Sequence, residues 1–249
     1  MTLSEFFRKN ERIAVALSGG VDSSYLLWAA SEAGADVRGY FARSQFQPDF
    51  ELEDARKIAE LAGVPLGVIG VDALEWDGVA DNPPDRCYHC KRALFSEIIA
   101  EAGRDGYGVV CDGTNASDDA GDRPGMRALR ELGVVSPLRE AGLGKADIRR
   151  LSREAGLPTA SKPSYACLAT RIPAGEPITP EKLRKISRAE DFLREKGFTN
   201  LRVRWYHGIA RLQLPENQFA AALRLRGEIA GALSDWDGVA LDLIPRDGD

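Results

Sequence analysis

Seven consecutive residues, Ser18-Gly19-Gly20-Val21-Asp22-Ser23-Ser24, have the chemistry of a phosphate cradle. The two glycines let the backbone turn sharply and bring its N–H groups against an anion. Ser18, Ser23 and Ser24 add hydroxyl donors, and Asp22 can hold Mg²⁺ against phosphates. No Gly-Lys-Ser/Thr follows at Walker spacing, and the run is not Gly-x-Gly-x-x-Gly. Cys87 and Cys90 form a second candidate centre. A Cys-x-x-Cys at a helix start has lowered thiol pKa values and suits metal binding or redox chemistry. There is no second Cys-x-x-Cys, which argues against a four-cysteine zinc site. Cys167 stands alone in a loop between Pro163 and Pro173, with Lys162 and Arg171 nearby in sequence. Together the three thiols match a [4Fe–4S] site with one iron open to an external sulfide. Cys111, inside Val109-Val110-Cys111-Asp112, reads as a core residue, and His89 and His207 are too far apart for a metal site. Arg202 and Arg204, two apart on a strand, share one face and suit a phosphate or carboxylate. The other reading is a solvated face paired with Glu190 and Asp191, which can themselves bind a divalent metal.

The flanking elements fit a phosphate cradle. Ile13 to Leu17 is a short apolar run expected as a buried parallel strand, and a helix is expected from Ser23 to Ala33. A loop between strand and helix places its N–H groups and the helix dipole on one spot. A short helix is expected over Leu3–Asn10, further strands over 36–42, 66–71 and 107–112, and helices over 50–62, 90–102 and 145–155. This alternation predicts an α/β, Rossmann-like parallel sheet with ligands at the carboxyl ends of its strands. Residues 114–140, rich in Asp, Gly and Arg, are expected to wrap the nucleotide pocket. From 159 to 180 the chain reads as loop. A helix (180–196), strands (200–206 and 209–214), a helix (215–230) and a strand (238–244) then predict a small α+β domain. The expected domains are 1–160 and 161–249.

The chain has 249 residues, 44% hydrophobic and 29% charged, which suits one large or two modest globular domains. A net charge of −5 argues against a nucleic-acid binder. No run is long and apolar enough for a membrane span, and residues 1–7 lack the pattern of a signal peptide. The expected location is the cytoplasm, where the four cysteines are reduced, metal-binding or catalytic.

The loop 18–24 resembles the SGGxDS pyrophosphate loop of the N-type ATP pyrophosphatases, in which the α-phosphate of ATP is attacked and pyrophosphate leaves. Four further stretches narrow the resemblance: 85–91 with both cysteines, Asp112-Gly113-Thr114-Asn115-Ala116-Ser117-Asp118, Pro163-Ser164-Tyr165-Ala166-Cys167-Leu168-Ala169-Thr170-Arg171-Ile172-Pro173, and 202–208. With them the chain resembles the LarE family of ATP-dependent sulfurtransferases, which serve synthesis of a nickel-pincer nucleotide cofactor.

The resemblance implies adenylylation of a carboxylate on pyridinium-3,5-biscarboxylic acid mononucleotide. A sulfur nucleophile then displaces AMP to leave a thiocarboxylate, twice per substrate. ATP is expected on Ser18, Gly19, Gly20, Val21, Asp22, Ser23 and Ser24, with Mg²⁺ at Asp22. The adenine is expected at the backbone of Ala16 and Phe41, with Gly113 closing the pocket. Arg171, Arg202 and Arg204 are expected to bind the anionic substrate, and Lys91 or Lys162 to stabilise the α-phosphate. Two sulfur sources are known in the family. One is a sacrificed cysteine at the position of Cys167. The other is a sulfide on a [4Fe–4S] cluster, here held by Cys87, Cys90 and Cys167, and this sequence fits the second better. The family also implies a homo-oligomer, a trimer of dimers, with a metal near Glu190. The competing readings are a tRNA thiolase, an ammonia-using ligase and a nucleotide-binding module without turnover.

Overall fold

The computed structural model describes residues 1–118 and 124–246, so part of the expected pocket segment, 119–123, lies outside the described residues. The chain divides into two units. One comprises Met1–Val79 and Asp85–Lys162; the other comprises Ala80–Pro84 and Pro163–Asp249. The sequence marks a change near 160 but carries no sign that five residues around Asn82 belong with the C-terminal part.

In the first unit, α1 (Leu3–Lys9) opens with a capping box in which the Thr2 and Glu5 side chains each accept the other's backbone N–H. Then β1 (Arg12–Ala16), α2 (Val21–Glu32), β2 (Asp36–Arg43), α3 (Asp49–Leu61), β3 (Leu66–Gly70), α4 (Arg86–Arg104) and β4 (Val110–Cys111) follow in order. The strands pair in parallel in the order β3-β2-β1-β4. This is the Rossmann-like sheet expected from the alternation. Ile13 and Val15 of β1 join a core with Leu26 and Leu27 of α2 and Ile58 of α3. Ala14 joins Tyr40 with Phe95 and Ile98 of α4 in a second core. Helices therefore cover both faces, and β1 reads as an unbroken apolar run rather than an alternating one.

Two boundaries differ from expectation in ways that matter. Helix α2 begins at Val21, so Asp22 and Ser23 lie in its first turn. Helix α4 begins at Arg86, four residues early, so both cysteines are inside it. The expected strand 107–112 contracts to β4. Beyond it come α5 (Pro124–Glu131), α6 (Pro137–Glu140) and α7 (Lys145–Glu154).

In the second unit, α8 (Pro180–Glu195) starts from a Thr179 cap with Pro180 in its first turn. Strands β5 (Arg202–Tyr206), β6 (Ile209–Gln213) and β7 (Gly238–Leu241) form a sheet in that order, antiparallel then parallel. His207 and Gly208, both at positive φ (48 and 84), turn the β5–β6 hairpin. The single helix expected over 215–230 is broken at Leu225 into α9 (Phe219–Arg224) and α10 (Arg226–Ala232). Among the described residues no helix is long and apolar enough to cross a membrane.

Candidate functional site

The first unit carries a cradle at the carboxyl end of β1. Gly19 takes φ 71, and a Cβ there would lie 2.5 Å from the Glu51 carbonyl oxygen. Only glycine allows this turn so close to α3. Ser18 and Ser23 tie the loop's ends together: the Ser18 N–H donates to Ser23 Oγ at 3.1 Å, and the two hydroxyls are also 3.1 Å apart. Gly20 caps α2 without any side-chain hydrogen bond. Among the described residues no side chain is seen on the N–H groups of the first turn, which is where an anion binds at a helix start. Gly113 closes the cradle from above, since a Cβ there would come 2.7 Å from the Ser23 nitrogen. Ala16 is the last β1 residue in register with β2, opposite Tyr40. Phe41 lies one residue beyond that pairing.

The loop after β4 is rigidly built. Buried Asp112 accepts hydrogen bonds from Thr114 Oγ1 and, at 2.6 Å, from Ser136 Oγ. Asn115 Oδ1 accepts the Ser117 N–H at 2.8 Å, and Ser117 Oγ accepts the Lys145 N–H at 2.9 Å. That last bond docks the start of α7 beside the cradle.

Two lysines reach the cradle. Lys145 Nζ lies 2.6 Å from Asp22 Oδ2. Lys162 Nζ donates to the Gly19 carbonyl at 2.9 Å and to Asp54 at 2.7 Å. Asp22 Oδ1 is buried and has no partner among the described residues. Burial raises the Asp22 carboxyl above its ordinary value, outweighing the hydrogen bond and charge of Lys145. A buried carboxylate oxygen without a donor, beside an uncapped helix start, fits Mg²⁺.

Cys87 and Cys90, exposed and half-buried, form no disulfide and lie three apart on one side of α4. The Arg86 guanidinium donates to Cys87 Sγ at 3.6 Å. Cys111 is fully buried, and burial pushes its thiol far up, as befits a core residue.

In the second unit, Cys167 is a half-buried cysteine outside any disulfide, on a loop whose carbonyls are pinned. Its carbonyl accepts Thr170 Oγ1 at 2.8 Å, and Arg171 Nη1 donates to the Ala166 carbonyl at 2.7 Å. Arg204 Nη1 holds the Thr170 carbonyl at 2.8 Å. Arg171 is anchored in turn by Glu190, through Nε to Oε1 at 2.7 Å and Nη2 to Oε2 at 3.1 Å. Glu190 also accepts from the Tyr165 hydroxyl, Arg194 and the Val203 N–H. The Tyr165 ring lies under both guanidiniums, 4.6 Å from Arg171 and 5.4 Å from Arg194.

A family model of the tRNA methyl transferase HUP domain matches residues 11–91. An uncharacterised protein of Synechocystis is 37% identical over 217 residues, 87% of this chain and 81% of its own. The pyridinium-3,5-bisthiocarboxylic acid mononucleotide synthase of Lactiplantibacillus plantarum is 35% identical over 217 residues, 86% of this chain and 79% of its own. The chain belongs to the LarE family. It is therefore an ATP-dependent sulfurtransferase of the PP-loop type. More distantly, a tRNA-specific 2-thiouridylase of Azorhizobium caulinodans is 28% identical over 203 residues, about half of its length (52%).

In this LarE chain the turn 18–24 and Gly113 lie together at the carboxyl end of β1. Arg171 and Glu190 are arranged otherwise than expected. Each is fully buried and bound by the other and by its further partners in this unit. Lys91 packs its stem at α5, where a Cβ on Gly125 would come 3.0 Å from Lys91 Cδ. Arg202 and Arg204 do share a face of β5. Burial and the charges of Arg246 and Arg171 lower both guanidiniums, Arg202 to about 10. Arg202 has no ion-pair partner among the described residues. Sequence reasoning missed Lys145. A lysine in the first turn of a helix opposes the helix dipole, and that misplacement was the available signal. Within each unit, among the described residues, no three His, Cys, Asp or Glu side chains group to hold a metal.

Proposed function

We propose that the chain adenylylates the carboxylates of pyridinium-3,5-biscarboxylic acid mononucleotide and converts them to thiocarboxylates. The uncapped first turn of α2, with Asp22 beside it, carries this reading. A triphosphate on those N–H groups turns its α-phosphorus toward an acceptor, with Mg²⁺ at Asp22. The carboxylate oxygen attacks that phosphorus and pyrophosphate leaves. A sulfur nucleophile then adds to the acyl carbon and AMP leaves with the oxygen. Backbone atoms of Ala16 and Phe41 take the adenine, and Arg202 and Arg204 take the phosphate or carboxylates of the substrate. Arg171 serves by holding the Cys167 loop, through the carbonyls it binds.

A donor set of three cysteine thiols suits iron better than a hard metal. A [4Fe–4S] cluster held by Cys87, Cys90 and Cys167 supplies, when bound, a replaceable sulfide. The second source of sulfur is Cys167 itself, which its place outside any disulfide and its pinned loop also permit. The reading includes a homo-oligomer in the cytoplasm, tested by sedimentation.

The experiment is anaerobic purification followed by reaction with ATP, Mg²⁺ and the dicarboxylate nucleotide, beside Cys87→Ser. AMP, pyrophosphate and a thiocarboxylate product support the reading; AMP formation with no sulfur in the product refutes it. Iron and acid-labile sulfide lost in Cys87→Ser identify the cluster. Loss of sulfur from Cys167, read by mass spectrometry, identifies the sacrificial route. Thiolation of tRNA by the same preparation would favour the reading suggested by the thiouridylase relative.

A further inference from the structure

The pair Lys145–Asp22 joins two elements that belong to different stretches of the chain. Lys145 sits at the start of α7, fixed there by its own N–H on Ser117 Oγ, and its ammonium crosses to the first turn of α2. Both helices point their N-terminal ends at this spot; the first turn of α2 has no side-chain cap, and at α7 the Ser117 hydroxyl takes up the Lys145 N–H. A lysine is electrostatically wrong there unless an anion faces it. Asp22 supplies one charge through Oδ2, while its other oxygen is buried without a donor. A divalent cation on Asp22 would compete with the ammonium for the same carboxylate and repel it. The triphosphate, on the uncapped turn that carries Asp22, is the next anion within the reach of a flexible lysine stem.

We propose that Lys145 is a nucleotide-binding residue whose ammonium holds Asp22 while no cation is bound and passes to the triphosphate when a divalent cation takes Asp22. The inference rests on the Mg²⁺–ATP reading of the cradle. It gives the residue two opposite effects, since it excludes a lone cation and favours the cation with nucleotide. An ion pair that merely fastened α7 to α2 would not separate the two.

The test compares wild type with Lys145→Met, which keeps the stem and removes the charge. Mn²⁺ alone is titrated by the loss of its free EPR signal, and Mg²⁺–ATP by calorimetry. The expected result is tighter Mn²⁺ binding and roughly tenfold weaker Mg²⁺–ATP binding in Lys145→Met, the scale of a charge-assisted hydrogen bond. Unchanged ATP affinity, or both affinities moving the same way, overturns the role of Lys145. If wild type itself binds no Mg²⁺–ATP, the nucleotide reading falls instead. A second measurement needs no variant: amine labelling of Lys145 in wild type, read by mass spectrometry. Labelling should rise with Mn²⁺ alone and fall with Mg²⁺–ATP, and equal labelling in all states overturns the proposal.

Discussion

Arg171 and Glu190 meet inside the second unit with both side chains fully buried, 2.7 Å apart through Nε and Oε1. Removing one partner strands the other charge away from water. Glu190→Ala should therefore cost about 3–5 kcal/mol of stability. Glu190→Leu combined with Arg171→Met should recover half or more of that loss, because apolar residues of similar volume replace both charges. Urea denaturation of the single and double variants checks this. Equal instability in both would remove the ion pair from the explanation.

The same carboxylate sets an acid limit. Burial raises its pKa, but the hydrogen bonds and charge of Arg171, with Arg194 and Tyr165, hold it below the ordinary 4.5. Its folded value is thus below its unfolded one. The stabilisation is complete above the unfolded value and disappears as pH falls through the folded one. Glu190→Gln should lose less stability than wild type between pH 5 and its acid midpoint, measured by thermal melting at successive pH values.

Gly113→Ala should weaken ATP binding with the fold retained. The new methyl meets the Ser23 backbone nitrogen at 2.7 Å, and the N–H of that residue belongs to the cradle. A displacement that loses one such bond costs about 1.4 kcal/mol, roughly tenfold in affinity. ATP titration, with melting temperature as the control for folding, distinguishes this from general damage.

Arg202 has no ion-pair partner among the described residues. Burial and its arginine neighbours lower it to about 10, so the protonated form is disfavoured at neutral pH relative to an exposed guanidinium. Arg202→Met should raise the melting temperature of the free protein and weaken binding of the anionic substrate. Added inorganic phosphate should stabilise wild type and leave Arg202→Met unmoved.

Much of the first unit was legible because its signals are local. An apolar run, a glycine turn and an amphipathic helix each reveal themselves within a dozen residues. The loop 18–24 carried enough of them to fix strand, turn and helix together. The start of α4 was misplaced because Arg86 and Cys87 are not apolar markers, and nothing periodic announces the helix before Cys90. The burial of Arg171 is hidden in the sequence for a different reason. A buried arginine looks the same in sequence as a substrate-binding one, and only the facing carboxylate, nineteen residues away in the sequence, tells them apart. Lys145 and Asp22 are separated by 123 positions, so their pairing is a property of the fold alone.

Asn82 is buried in the second unit at φ 53, and its amide nitrogen reaches the carbonyls of Pro173 at 2.7 Å and Glu176 at 3.1 Å. The Asn82 carbonyl accepts the Gly175 N–H at 2.8 Å, and that of Ala80 accepts Ile178 at 2.8 Å. On the ribosome, this short stretch emerges long before any of those partners exist. It stays hydrogen-bonded to water while the remainder of the first unit is synthesised. The C-terminal unit therefore cannot be completed by its own tail alone. A gene fragment beginning at Pro163 would lack a strap that it needs, and one ending at Lys162 would carry that strap with nothing to bind. A cut at Lys162 therefore separates the strap from every one of these partners.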